Sequence, residues 1–197
     1  MKAEEMRRVL NSAIMADWDD GRTYLGMSGI GQCSRKLYND LVQGRRRPSD
    51  RGIRYCHEGY LHEQDVIERL NQEGVRVLEQ GRELVAGFDE RFRGHIDGEV
   101  DGDLLEIKSV EDYEALDNIR SRGARTRDRA QVQAYMRYGE YERALIVYKV
   151  RSNGDLWVVW VMRDEAEGER LETKALGILE AVDRMEPPVC ECGRCKG

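Results

Sequence analysis

Three side chains able to share one piece of polar chemistry stand in a single short segment. Residues 94 to 110 read GHIDGEVDGDLLEIKSV and carry Asp97, Glu106 and Lys108, with His95 beside them. Asp101-Gly102 predicts a two-residue type I′ hairpin turn. With Val100 then paired to Asp103, Asp97 falls opposite Glu106 and His95 opposite Lys108, and side-chain alternation sets all four on one face. Ile96, Leu105 and Ile107 take the other face and pack on a core. Directly opposed carboxylates repel, so a fold keeps them where a cation neutralises the pair or one is protonated. Oxygen ligands suit magnesium or manganese, ions that polarise a phosphoryl oxygen and lower the pKa of a bound water. Lys108 would orient that water and stabilise developing charge. The bland alternative is a surface strand in which Lys108 only balances Glu106.

The elements that must position these groups follow from hydrophobic period. Residues 2 to 16 have the spacing of a short amphipathic helix, followed by the Gly-rich stretch 21 to 31. A second helix is expected from Ser34 to Gly44, an exposed turn over Arg45 to Asp50, and a third helix over His57 to Glu73, with Leu61, Ile67 and Leu70 on one side. The period then drops to two, predicting strands at 75–79, 82–86, 92–100 and 104–110. Helices return at 111–119 and 128–138, two apolar strands follow at 144–150 and 156–162, and a helix from Asp164 to Met185 aligns Leu171, Ala175, Ile178, Leu179 and Val182. Pro187 and Pro188 end it. The expected fold is α/β: one mixed central sheet flanked by helices over 1–186, with a Cys-rich tail at 187–197.

The chain has 197 residues, 40% hydrophobic and 36% charged, which excludes disordered and collagen-like classes. No apolar run spans a bilayer and the N-terminus has no signal-peptide pattern, so a cytoplasmic protein is expected. A net charge of −6 argues against a polyanion partner, but the distribution argues the other way. Residues 35 to 54 carry +5 and residues 120 to 129 carry +4, leaving −15 for the rest. Arg120, Arg122, Arg125, Arg127 and Arg129 form the second strip, whose alternative reading is a solvated face.

An Asp nine positions before an apolar-flanked Glu-x-Lys, across a tight turn, resembles the active-site signature of the PD-(D/E)XK nuclease superfamily. Two further segments resemble motifs of its RecB-like branch, in the same order. One is Gly59-Tyr-Leu-His62; the other is Gln131-Val-Gln-Ala-Tyr135, which sets Gln131 and Tyr135 on one helical face. The resemblance implies a restriction-endonuclease-like core in which His62, Asp97, Glu106 and the Ile107 carbonyl hold Mg2+ or Mn2+. Lys108 assists, Gln131 and Tyr135 steady the substrate, and the arginine strip meets phosphates. It implies a metal-dependent deoxyribonuclease, an exonuclease on single-stranded DNA ends. His95 matches no ligand and is read as a polar-face residue.

Five cysteines in a reducing compartment are thiols or metal ligands rather than a disulfide framework. Cys33, within SGIGQCSRKLYNDL, resembles the N-terminal cysteine segment of the CRISPR-associated Cas-four family and its phage relatives. There one N-terminal and three C-terminal cysteines hold a four-iron four-sulfur cluster; Cys190, Cys192 and Cys195 supply three here. Four thiolates suit structural zinc equally, and unliganded thiols are the third reading. The CxCxxC spacing is tighter than the family's, and Cys56 is an extra, half-buried thiol. Implied partners are DNA with CRISPR integrase proteins or phage recombination proteins. Two rivals stand beside this reading: a noncatalytic nucleic-acid-binding module, and a structure-specific endonuclease of the same fold.

Overall fold

The computed structural model describes residues 3–6, 9, 12 and 22–195. Most of the helix expected over residues 2 to 16 therefore lies outside the described residues. Seven strands follow in chain order: β1 Leu25–Gly26, β2 Glu83–Val85, β3 Phe92–His95, β4 Gly98–Val100, β5 Asp103–Val110, β6 Arg143–Val150 and β7 Leu156–Met162. Among residues 22–195 the α-helices are α1 Ser34–Val42, α2 Asp50–Gln72, α3 Tyr113–Arg122, α4 Thr126–Gly139 and α5 Glu165–Arg184.

The α/β class and the flanking helices are as expected, but the strands form two mixed sheets rather than one. The smaller has the order β1-β3-β2, with β1 parallel and β2 antiparallel to β3. The larger has the order β4-β5-β6-β7, with a parallel β5–β6 pair between two hairpins. What divides them is a break in the single strand expected over 92–100. Ile96 N–H turns to the Arg82 carbonyl at 3.2 Å, and the chain re-enters a ladder only at Gly98. The strand expected over 75–79 reduces to one bridge, Leu78 with Glu99.

Each face of the larger sheet packs a different core. Leu105, Ile107 and Val147 meet Val66 and Ile67 of α2 on one face. Leu104, Val110, Ala144, Ile146 and Tyr148 meet α3, α4 and α5 on the other. Ile96, expected beside Leu105 and Ile107, belongs to this second core because of the break. Leu61, expected on the buried side of its helix, is 53% exposed; Val66 takes that place. The α2 helix starts at Asp50, seven residues before its expected start, because Ser49 accepts the Gly52 N–H at 3.2 Å as an N-cap after Pro48. Leu171, Ala175, Ile178 and Leu179 of α5 are buried as expected.

Candidate active site

The hairpin turn sets the site's register. Asp101 and Gly102 have φ of 52° and 84°, the pair of positive values a type I′ turn needs. Val100 pairs with Asp103 and Gly98 with Leu105. Asp97 stands one residue beyond the ladder, and its side chain continues it: Asp97 Oδ2 accepts the Ile107 N–H at 2.6 Å, where a regular strand would offer a carbonyl. The N–H and C=O of one strand residue point to the same edge, so the Ile107 carbonyl projects toward Asp97 as well. Glycine is required on both sides of this kink. A Cβ at Gly94 would stand 2.7 Å from the Tyr135 ring, and one at Gly98 would stand 2.5 Å from Val77 Cγ1.

Glu106 and Lys108 project from β5 to the face covered by α4, as alternation requires. The register with β6 sets Glu106 beside Ile146 and Lys108 beside Tyr148. Glu106 is fully buried. Its Oε1 accepts from Lys108 Nζ and from Gln131 Nε2, the latter at 2.8 Å. Its Oε2 is buried with no hydrogen-bond partner. Tyr135, one turn after Gln131, is buried and hydrogen-bonded to it, and burial followed by the charges of Glu106 and Asp97 raises its phenol above the usual range. Asp128, one turn before Gln131, is also buried and accepts from Tyr148 Oη at 3.0 Å.

The electrostatics follow from burial. Desolvation, then the Asp97 charge, push Glu106 up to about 8 against the pull of Lys108. Desolvation also raises Asp97, against Lys108 and the Ile107 N–H. Burial opposes the Lys108 charge, but Glu106 and Asp97 outweigh it and hold the ammonium above its ordinary range. The two carboxyls and the lysine thus form one charge cluster, not a solvated surface pair.

A further acid, not singled out by sequence reasoning, is coupled electrostatically to this cluster. Glu63 on α2 is pushed up to about 7 by desolvation and then by Asp97, with Lys108 pulling the other way. His62, the neighbour singled out by its motif, has different principal company. Its pKa is lowered by desolvation, then by Lys149 and Arg151, with Glu58 and Asp65 opposing. One residue is 100° of helix, enough to send His62 and Glu63 to different sides of α2. The signal that would have found Glu63 is an acidic residue one turn before the Val66-Ile67 core pair.

The remaining candidates divide similarly. His95 does not lie opposite Lys108: it pairs with Glu83 in the smaller sheet, its Nε2 3.7 Å from that carboxylate. Of the arginine strip only Arg127 lines the cleft shared by Lys108, Asp128 and Gln131, where Arg22 and Arg45 also stand. Arg120 stacks over Trp157 at 5.0 Å, Arg129 stands 3.9 Å from Asp164, and Arg122 and Arg125 line a separate surface groove with Asp112. Cys56 is exposed rather than half-buried and lines the cleft.

The cysteines converge. Sγ atoms of Cys33, Cys190, Cys192 and Cys195 all lie within 4.8 Å of one another, the one such set of metal-ligating groups among the described residues. The tail is tied to the N-terminal region by Ser34 Oγ donating to Glu191 at 2.7 Å and Arg35 Nε donating to the Pro188 carbonyl at 2.7 Å. Burial works against a thiolate at Cys33, but the N–H groups of Lys36, Cys192, Glu191 and Arg35 bring it down to about 6. No helix among the described residues is long and apolar enough to cross a membrane.

No family model and no curated protein matches the sequence. Solved structures do. The alkaline exonuclease LHK-Exo from Laribacter hongkongensis superposes with a TM-score of 0.68 at 16% identity, over 83% of this chain and 90% of that one. The same enzyme in complex with dAMP gives 0.67 at 17% identity over the same shares. A phage-related exonuclease from Haemophilus somnus gives 0.57 at 13% identity, over 77% of this chain and 80% of that one. The chain has the fold of these exonucleases.

Proposed function

We propose that this protein is a divalent-metal-dependent deoxyribonuclease that hydrolyses phosphodiester bonds from single-stranded DNA ends. One observation carries the reading: Glu106 is wholly buried, and its Oε2 has no partner. A native fold rarely leaves a buried carboxylate oxygen unpaired without a use for it. With Asp97 and the Ile107 carbonyl beside it, the donor set is all oxygen, which fits a hard cation such as Mg2+ or Mn2+.

Bound there, such an ion would polarise the phosphoryl oxygen and make water a nucleophile near neutral pH. The chain's own residues do the rest. Lys108, protonated and tethered to Glu106, reaches the edge of the cleft and aligns a water against phosphorus while offsetting the new negative charge. Gln131 fixes the Glu106 carboxylate, and Tyr135 fixes Gln131. Arg127 offers a phosphate contact at the cleft wall, where the full five-arginine strip does not. Water supplies the oxygen, the P–O bond to the departing sugar breaks, and that sugar oxygen takes up a proton.

The four cysteines are proposed to hold a four-iron four-sulfur cluster, with zinc as the alternative that the same thiolates would accept. The proposed setting is DNA end processing beside CRISPR integrase or phage recombination proteins. The shared fold with a phage-related exonuclease supports the second context.

End-labelled linear and circular single-stranded DNA, each with Mn2+ or with EDTA, test the proposal. The expected result is metal-dependent loss of the linear substrate with the circle intact. Cutting of the circle would replace exonuclease by endonuclease. Binding without cutting, in the wild-type protein with either ion, would leave only a noncatalytic DNA-binding module.

A further inference from the structure

The strand β7 reads LWVVWVM and carries no charge along its length. It ends the larger sheet, and among the described residues nothing pairs with its outer edge. Leu156, Val158, Trp160 and Met162 share one face of it and are 39%, 48%, 51% and 63% exposed. Folded proteins blunt such edges with charges, proline or a bulge; β7 itself contains none of them, and the nearest charges are the Arg120 and Arg143 guanidiniums over the Trp157 and Trp160 rings.

Its backbone fixes what can pair there. The Arg163 N–H donates to the Glu142 carbonyl and the Val150 N–H to the Asp155 carbonyl, so odd-numbered residues of β7 bond inward to β6. The N–H and C=O groups of Leu156, Val158, Trp160 and Met162 must then point outward. A second copy of the same strand fits them in one antiparallel register, centred on Val159. That register pairs Val158 with Trp160 and Leu156 with Met162 in both directions. It also sets Asp155 of each copy, which accepts from Tyr113 in its own chain, opposite Arg163 of the other, which pairs with Glu165 at 2.6 Å in its own. Sliding the ladder one way moves Asp155 opposite Val161, and sliding it the other way moves Asp155 past the strand to the start of α5, so either slip loses the pairing with Arg163. Opposite charges facing across a ladder favour a register, and like charges oppose it.

We infer that the protein forms a two-fold dimer by antiparallel pairing of β7 with β7, joining two four-stranded sheets into one of eight. The interface is isologous, as a closed dimer requires. No residue of β7 belongs to the cluster around Glu106, which lies two strands away, so dimerisation and nuclease activity can fail separately.

Cross-linking on the axis tests it. Val159 faces its own twin as a non-hydrogen-bonded pair, with Cα atoms roughly 4.5 Å apart, inside disulfide reach. Mild oxidation of Val159→Cys should give a covalent dimer in high yield. Trp157→Cys, several residues from its twin, and the wild-type chain with its native cysteines should give only background. Light scattering on a sizing column should read near 46 kDa for the wild type at tens of micromolar, twice the 22.8 kDa chain. Val158→Lys with Trp160→Lys, both on exposed positions, should read as a monomer with an unchanged circular dichroism spectrum. A wild-type monomer or trimer, or cross-linking of Trp157→Cys equal to that of Val159→Cys, would overturn the dimer.

Discussion

Gln131 Nε2 donates to Glu106 Oε1 at 2.8 Å, joining a helix and a strand that lie 25 residues apart in sequence. The bond is buried at both ends. Removing one partner of a buried charged hydrogen bond costs about 1.5 to 3 kcal/mol, because the other is left without solvent or protein. Gln131→Ala should therefore slow single-turnover cleavage by about tenfold to a hundredfold at saturating metal. The KM for DNA should change little, since Gln131 acts through Glu106. A rise in KM with an unchanged rate would make Gln131 a substrate contact instead.

Glu63 and His62 make opposite predictions from adjacent positions. Glu63 feels Asp97 and Lys108, whereas the leading charges on His62 are Lys149 and Arg151. Glu63→Gln should weaken Mn2+ binding by at least about tenfold, the scale seen for groups that hold or orient metal ligands. His62→Ala should leave Mn2+ affinity and cleavage within about twofold, as for a surface substitution away from the site. Calorimetric titration with Mn2+ separates them, and loss of metal in His62→Ala alone would restore the histidine to the site.

Gly94 and Gly59 are both glycines of the recognised segments, yet only one has no room for a methyl group. A Cβ at Gly94 would meet the Tyr135 ring at 2.7 Å and Met27 Cβ at 3.1 Å, whereas one at Gly59 meets nothing within 4 Å. Gly94→Ala should lower stability by about 1 to 3 kcal/mol through overpacking. It should also slow cleavage by displacing Tyr135 and with it Gln131. Gly59→Ala, within a helix, should raise stability by up to about 1 kcal/mol. Urea denaturation of both variants checks the contrast.

The cysteine set predicts a bound metal in protein purified without oxygen. Such a preparation should be brown and contain about four irons per chain, the count of a cluster held by four thiolates. Cys33→Ser should bleach it and lower the melting temperature, because the tail then keeps only its hydrogen bonds to Ser34 and Arg35 as ties to the N-terminal region. Colourless protein with one zinc per chain would exchange the cluster for a structural zinc. Protein free of both metals would leave four unliganded thiols.

Much of this was legible before any coordinates, and the parts that were not have physical causes. The Asp101-Gly102 turn determined the β4–β5 register from local chemistry alone, so Gly98 stands opposite Leu105 as the count requires, while Asp97, one residue past the ladder, bonds to the Ile107 N–H. The count failed at His95 because a period of two assumes an unbroken strand, and only the tertiary structure reveals that the chain leaves the smaller sheet after Ile96 and joins the larger one at Gly98. Glu63 was hidden for the same reason: a one-residue rotation on α2 is decided by how Val66 and Ile67 pack on the sheet. The five arginines looked alike in sequence, and only the positions of α3 and α4 separate Arg127 from Arg120 and Arg129. The apolar run of β7 was read correctly as a strand, but its edge position depends on the order of the sheet.

If Glu106 and the acids coupled to it hold a divalent cation, Mn2+ affinity must depend on pH. Desolvation, then the Asp97 charge, push Glu106 up to about 8 and Glu63 up to about 7 from an ordinary 4.5. Both folded-state pKa values are raised, so the stability they give is full below pH 4.5 and lost as pH rises through 7 and 8. A cation displaces those protons and restores the loss. Mn2+ should therefore bind more tightly, and raise the melting temperature more, at pH 8.5 than at pH 6.5. Glu106→Gln should abolish the binding and flatten the pH dependence. Wild-type protein that binds no Mn2+ at pH 8.5, or a Glu106→Gln variant that binds it equally well, would rule out a cation at Glu106.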